Sequence, residues 1–348
     1  MMGPSRKRFA AGVLASCLTT LAVPGSVAVA STVSHFNHPF GIAVGGDRVW
    51  VANRFGNSVT ELNASTGAVI RVLDSGDYGF SEPWALAIGD GHVWVANAQG
   101  NSVTELSTSN GHLVQVIRSP SDGFDSPNAI AVGGRHVWIT NGPLVPTTTP
   151  EGNTGNSVTE LNTSNGSLVR IIDDPRDKFS VPDAVLVVGR HVWVANSEGS
   201  PLTELNTSNG SLVRVVHGKG AAYYMPSALA SSGADLWVAP IGNVVTELNT
   251  SDGSLARVVH SIAKGISGVS AIATGDSQVW VANIVANSVT ELNATNGSRV
   301  RVVASAPDEL KNPAGVALSA GVVWVADSGN NAVTELNATN GSLIRVIK

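Results

Sequence analysis

The chain has 348 residues, a net charge of −5, 14% charged residues, 37 glycines and a single cysteine. So mild an acidic balance leaves no basic field for nucleic acid or an anionic membrane surface. One cysteine excludes a disulfide framework, and no later run of residues reaches the roughly 18 apolar positions that a membrane span needs.

Residues 1–30 have the layout of a secretory signal peptide. Arg6-Lys7-Arg8 precedes the apolar stretch Phe9 to Val23, and the small-residue site Ala28-Val29-Ala30 stands before Ser31. Cleavage after Ala30 would leave a secreted chain, 31–348, with no thiol, whose stability must come from packing. Leu14-Ala15-Ser16-Cys17 also resembles a bacterial lipobox, so lipid anchoring through Cys17 is the alternative to free secretion.

From Phe36 onward the chain repeats. Seven tryptophans, Trp50, Trp94, Trp138, Trp193, Trp237, Trp280 and Trp324, are spaced 44, 44, 55, 44, 43 and 44 residues apart. A second marker, the apolar residue three places before a proline slot, falls at Phe36, Phe80, Phe124, Phe179, Tyr223, Ile266 and Leu310 with the same spacings. Periods of about 40–50 residues with four short strands each are propeller blades. The expected fold is therefore all-β, a single seven-bladed β-propeller domain over 31–348, with an insertion at 142–154 in blade 3.

Blade 1 sets the pattern. Gly41–Val44, Val49–Ala52, Ser58–Asn63 and Ala68–Leu73 read as four strands, separated by Gly45-Gly46-Asp47 and Ser65-Thr66-Gly67 at two of the turns. The second strand, Val-Trp-Val-Ala, is apolar on both faces, as a sheet sandwiched between two others requires. A three-residue third hairpin places Glu61 opposite Arg71, and the pair recurs as Glu160 with Arg170, Glu204 with Arg214, Glu247 with Arg257, Glu291 with Arg301 and Glu335 with Arg345; in blade 2 Glu105 faces Gln115. Near-identical copies of one pair point to a structural role. Because the repeat starts and stops at a blade boundary, closure of the ring rests on blade 1 packing against blade 7, with residues 31–36 assisting; an open solenoid is the alternative.

The segments Val-Trp-Val-Ala-Asn, Asn-Ser-Val-Thr-Glu-Leu-Asn and Ser-Asn-Gly-Ser-Leu-Val-Arg-Val resemble the YVTN-type β-propeller repeat of bacterial secreted and surface-layer proteins. Tryptophan replaces the tyrosine at the head of that motif. The proline-started first strands and the tryptophan are also similar to NHL and streptogramin-lyase propellers. These matches lie on strands and turns and so imply fold rather than activity.

Candidate binding residues come from departures within the repeat. The slot after the proline opens the innermost strand and varies most: Phe40, Trp84, Asn128, Asp183, Ser227, Ser270 and Ala314. Filling of a tapering channel is the competing account of the same variation. Arg54, Phe55, Tyr78, Tyr223 and Tyr224 could extend that surface for an apolar ring, a sugar or a peptide; Tyr223 also occupies the blade-packing slot of Phe80 and Phe124. Asn53, Asn97, Asn141, Asn196, Asn283 and Asp327 end the second strands and are expected to cap turns. Ten Asn-x-Ser/Thr sequons, among them Asn63, Asn162, Asn165 and Asn340, fall at the third-to-fourth strand hairpins, where turn chemistry accounts for them.

His92, His136 and His191 occupy one slot in three successive blades, too far apart for one Zn²⁺ with bonds of about 2 Å. His217 and His260 share another slot in adjacent blades. No metal site, cofactor or catalytic residue is assigned, because no phosphate loop, zinc spacing, nucleophile elbow or EF-hand pattern occurs. The leading functional reading is a monomeric, secreted binding scaffold for a small molecule, glycan or protein. The alternatives are a metal-dependent lyase like the streptogramin-inactivating enzymes, for which the first-strand openings offer Asp183 and no histidine, and a structural envelope component.

Overall fold

The computed structural model describes residues 34–142, 156–199, 201–218, 224–240, 242–260, 265–275, 277–304 and 310–348. Residues 1–30 with Cys17, the insertion beyond Gly142, and Tyr223 lie outside the described residues. Seven sheets of four antiparallel strands follow one another along the chain, each in the order of its sequence. In blade 1 the strands are β1 (Pro39–Gly45), β2 (Arg48–Asn53), β3 (Ser58–Asn63) and β4 (Val69–Leu73). β1 is longer than expected because it begins at the proline, which is tolerated as the first residue of the sheet's inner edge. First strands pack side by side around the axis, and β1 meets the first strand of blade 7, Pro313–Ser319. The propeller is closed.

Alternation along the second strand explains the core. Successive side chains point to opposite faces, so in Val-Trp-Val-Ala the valines face the preceding blade and the tryptophan and alanine the following one. Trp50 accordingly packs with Val93 and Val95 of blade 2, and Trp324 with Val49 and Val51 of blade 1. All seven repeat tryptophans are at most 1% exposed. Burying about 150–250 Å² each makes them the principal cement between blades.

Glu61 lies directly across the ladder from both Trp50 and Arg71, so it shares the face that looks toward blade 2. Its carboxylate is buried and held by Arg71 Nε at 2.7 Å and Arg48 Nε at 2.9 Å. The residue two before the tryptophan is the second partner in other blades too. His92, His136 and His191 each donate from Nδ1 to their own glutamate, Glu105, Glu160 and Glu204, at 2.6–2.8 Å. The three histidines are thus separate structural groups. Burial raises the carboxyl pKa of Glu160 and Glu204, against the pull of Arg170 and Arg214. In blade 5 the same slot holds Asp235, whose charge adds to burial in raising Glu247, with Arg257 opposing both.

The fourth-strand residue opposite the glutamate, arginine in most blades and Gln115 in blade 2, also reaches forward. Arg71, Gln115, Arg214, Arg257 and Arg301 donate to carbonyls in the next blade's last hairpin, those of Asn110, Asn165, Ser251, Thr295 and Thr339. The hairpin itself differs slightly from expectation. Leu62 pairs with Val69 and Glu61 with Arg71, so Ile70 is an extra, bulged residue, while the Glu–Arg register stands. Gly67 at its tip has φ 68°, and any side chain there would run into Glu335 and Arg345 of blade 7. Asn63 Oδ1 accepts from the backbone N–H groups of Ser65 and Thr66, the turn role expected of the sequon asparagines.

On the opposite face, five asparagines before third strands latch onto the following blade. Asn57, Asn101, Asn156 and Asn287 accept at Oδ1 from the backbone N–H of Glu82, Ser126, Val181 and Asn312, each at 2.8 Å. Asn331 of blade 7 accepts from His38 of blade 1 in the same way, also at 2.8 Å. Phe36 is 1% exposed, and the His35 carbonyl accepts from Thr60 Oγ1. The seam between the last and first blades therefore carries the same asparagine latch as four other junctions, and each blade keeps its own four strands.

The asparagines that end the second strands are fully buried caps. Asn53 Nδ2 donates to Ser58 Oγ (3.0 Å) and Thr60 Oγ1 (2.8 Å), and equivalents recur at Asn97, Asn141, Asn196 and Asn283. Asp327 occupies this slot in blade 7. Burial pushes its carboxyl up to about 6, although it accepts from Lys311 N at 2.7 Å and Asn330 Nδ2 at 2.8 Å.

Candidate functional site

The connections from second to third strand and from fourth to first share one face, here the loop face; the two tight hairpins of each blade form the hairpin face. On the loop face the residue after the proline slot falls out of the ladder. In blade 2, Pro83 pairs with Asn97 and Ala85 with Ala96, so Trp84 is the extra residue of a β-bulge. Asn128, Asp183, Ser227, Ser270 and Ala314 are bulged likewise, and in blade 1 the irregularity spans Phe40 and Gly41. A bulge re-aims its side chain and releases it from cross-strand pairing. The most varied slot of the repeat is thus the one least constrained by the ladder.

Blades 1 and 2 supply an aromatic half. Phe40 and Trp84 lie 4.8 Å apart between ring centroids, tilted by 56°. The Arg54 guanidinium sits 4.0 Å from the Trp84 centroid, 5.0 Å from Phe55 and 5.8 Å from Phe40. Two bonds of 3.1 Å to Glu82 Oε2 hold it there. Phe55, 53% exposed, carries His38 against its ring at 4.3 Å. Burial, and then the Arg54 charge, lower the His38 pKa, so the ring is neutral at pH 7. A cation over aromatic faces contributes about 0.5–2 kcal/mol, enough to preorganise this cluster before anything binds.

Blades 3 and 4 supply a polar half. Thr140 Oγ1 donates to Asn128 Oδ1 at 2.7 Å, and Asn128 Nδ2 donates to Asp183 Oδ1 at 3.0 Å. Burial raises the Asp183 pKa, and a hydrogen bond from Ser197 opposes that. The relay orients both side chains and sets a carboxylate at the channel mouth. Ser227 and Ser270 fold back onto the main chain, at Ala239 O (3.3 Å) and Pro313 O (2.6 Å).

Of the sequence-predicted residues, Phe40, Arg54, Phe55 and Trp84 come together as one cluster, and Asn128 with Asp183 as another. Tyr78 joins neither: its ring stacks on Phe80, centroids 5.4 Å apart, and packs into the core between blades 1 and 2. Tyr224 is 59% exposed on a fourth-to-first connection. Sequence reasoning passed over His38, Glu82, Thr140 and Ser197. His38 and Glu82 fill the pre-proline slot, and Thr140 stands where the other six blades have alanine, so comparison within the repeat held the signal. Among the described residues no three His, Cys, Asp or Glu side chains converge. His38 belongs to blade 1, and Asp183 belongs to blade 4, where it accepts from Asn128.

The fold and its repeat define a seven-bladed β-propeller. A family model for the NHL repeat matches residues 310–336, which span the junction into blade 7 and its first three strands, so of the resemblances read from the sequence the NHL one has a family match. No curated protein matches the chain in sequence. Among solved structures, streptogramin B lyase aligns with a TM-score of 0.68 at 18% identity, covering 84% of this chain and 92% of that one. Hydrazine synthase of Kuenenia stuttgartiensis aligns with a TM-score of 0.67 at 17% identity, covering 91% and 100%. The computationally designed Ika8 protein aligns with a TM-score of 0.64 at 16% identity, covering 90% and 88%. At these identities the likeness is one of fold.

Proposed function

We propose that the chain is an exported binding scaffold whose loop-face channel mouth takes a carbohydrate. One observation carries the reading: a single ring of bulged slots presents preorganised aromatic faces on one side, Phe40 and Trp84 clamped by Arg54, and an oriented amide and carboxylate on the other, Asn128 and Asp183. Sugars need both, a ring face for their C–H surface and fixed acceptors and donors for their hydroxyls. Titration calorimetry of residues 31–348 against a panel of oligosaccharides tests it. The expected result is saturable binding that weakens at least tenfold in Trp84→Ala and in Asp183→Asn. Failure of every sugar, or affinity indifferent to both substitutions, overturns it; binding of aromatic small molecules alone would replace the ligand class while keeping the site. Export is part of the proposal, and N-terminal sequencing of chain recovered outside the cell checks it: Ser31 at the terminus supports cleavage, and a lipid-modified Cys17 replaces free secretion by anchoring.

A further inference from the structure

The hairpin face carries a different opportunity, at the seam between blades 7 and 1. In blades 1 to 4 and 6 the buried third-strand glutamate has a donor from the residue two before the tryptophan: Arg48, His92, His136, His191 or Gln278. Blade 7 has Val322 in that slot. Glu335 keeps only Arg345, whose Nε lies 3.2 Å from Oε2, the longest such pair in the ring. Its other oxygen, Oε1, is buried, has no hydrogen-bond partner among the described residues and points across the seam toward Gly67 of blade 1. An unpartnered buried carboxylate oxygen is costly, because the desolvation it suffers is not repaid by a donor.

Beside this carboxylate lies a cavity of about 420 Å³, bordered by Asp47, Ala64, Val322, Trp324, Ile344 and Arg345 among others. Blade 6 shows what the missing group does. Gln278 Nε2 donates to Glu291 Oε1 at 3.0 Å and to the carbonyl of Ala338 in the next blade at 2.8 Å. The residue equivalent to Ala338 in blade 1 is Ala64, which lines the seam cavity. Blade 7 thus retains the carboxylate and the neighbouring hairpin of the motif, and lacks the planar N–H donor that elsewhere is a guanidinium, an imidazole or an amide.

The geometry points to a binding site at this seam for a planar N–H cation, an amidinium or guanidinium on an apolar body, which sets its donors on Glu335 Oε1 and its apolar part against Trp324 and Ile344. The site is on the face opposite the channel mouth and does not depend on the carbohydrate reading. The cation takes the place that Arg48 fills one blade further on, and the cavity is large enough for a ring as well as the donor group.

Benzamidine is the probe, titrated calorimetrically into residues 31–348. Wild type is expected to bind it saturably, and Val322→Arg, which restores the internal donor, and Glu335→Gln, which removes the charge, each to weaken it at least tenfold. Benzyltrimethylammonium, with ring and charge but no N–H, is expected to bind at least tenfold more weakly than benzamidine. Trp84→Ala is expected to leave benzamidine affinity unchanged, which separates this site from the channel mouth. Val322→Arg is further expected to melt above wild type in the absence of ligand, since it fills the cavity and pairs Oε1. No binding by wild type, equal binding by Val322→Arg, or loss of binding in Trp84→Ala overturns the inference.

Discussion

Replacing Asp327 with asparagine should stabilise the propeller at neutral pH and leave it unchanged in acid. The carboxyl is fully buried in a slot that five other blades fill with asparagine, and burial pushes it up to about 6 from the usual 3.8. A rise of about two units corresponds to roughly 3 kcal/mol between the protonation states at about 1.4 kcal/mol per unit. Residual screening, and loss of the bond from Asn330 to Oδ2, reduce the expected net gain to about 1–2 kcal/mol. The sign follows from linkage: a folded-state pKa above the unfolded one gives stability that is complete below the unfolded pKa and is lost as pH rises through the folded pKa. Wild type and Asp327→Asn should therefore coincide near pH 4 and separate through about pH 6 to a plateau near pH 7.5. Urea unfolding followed by tryptophan fluorescence at several pH values measures this difference directly. Both proteins retain a further fall in stability over the same window from Asp177, also pushed up to about 6 by burial and by nearby Asp174, so the comparison isolates residue 327. A gap of constant size from pH 4 to 7.5, or a less stable variant at neutral pH, would refute the reasoning.

If the seam is an ordinary junction, Asn331→Ala and Asn57→Ala should each cost about 1–2 kcal/mol, one hydrogen bond plus strain at a left-handed position, and agree within about 0.5 kcal/mol. A much larger cost for Asn331→Ala in denaturant unfolding would show that the seam relies on that latch more than other junctions do. Gly67→Ala should destabilise by more than about 1 kcal/mol, because alanine is strained at φ 68° and its methyl meets Glu335 and Arg345. A melting temperature equal to wild type would contradict both reasons.

What could be read from the sequence was whatever lies within one blade. Two markers with identical spacing set the blade count, and Glu61 opposite Arg71 followed from hairpin length even though the bulge at Ile70 did not. Contacts between blades were not legible, because spacing along a strand says which face a residue occupies and not what meets that face. The forward reach of Arg71 to Asn110 and the latch from Asn331 to His38 both belong to this class. At the channel mouth, variation picked out Phe40 and Trp84, but the Thr140 hydroxyl that orients Asn128 shows in the sequence only as a departure from the alanine of the other six blades.

The bulge after each proline slot has a consequence for how such a molecule can change. A residue outside the ladder can be exchanged without disturbing the register or the tryptophan seams beneath it, so each blade offers one socket that is mechanically decoupled from the scaffold's integrity. Recognition can then be rewritten one socket at a time, by natural drift or by deliberate engineering, while the wheel that carries the sockets stays the same.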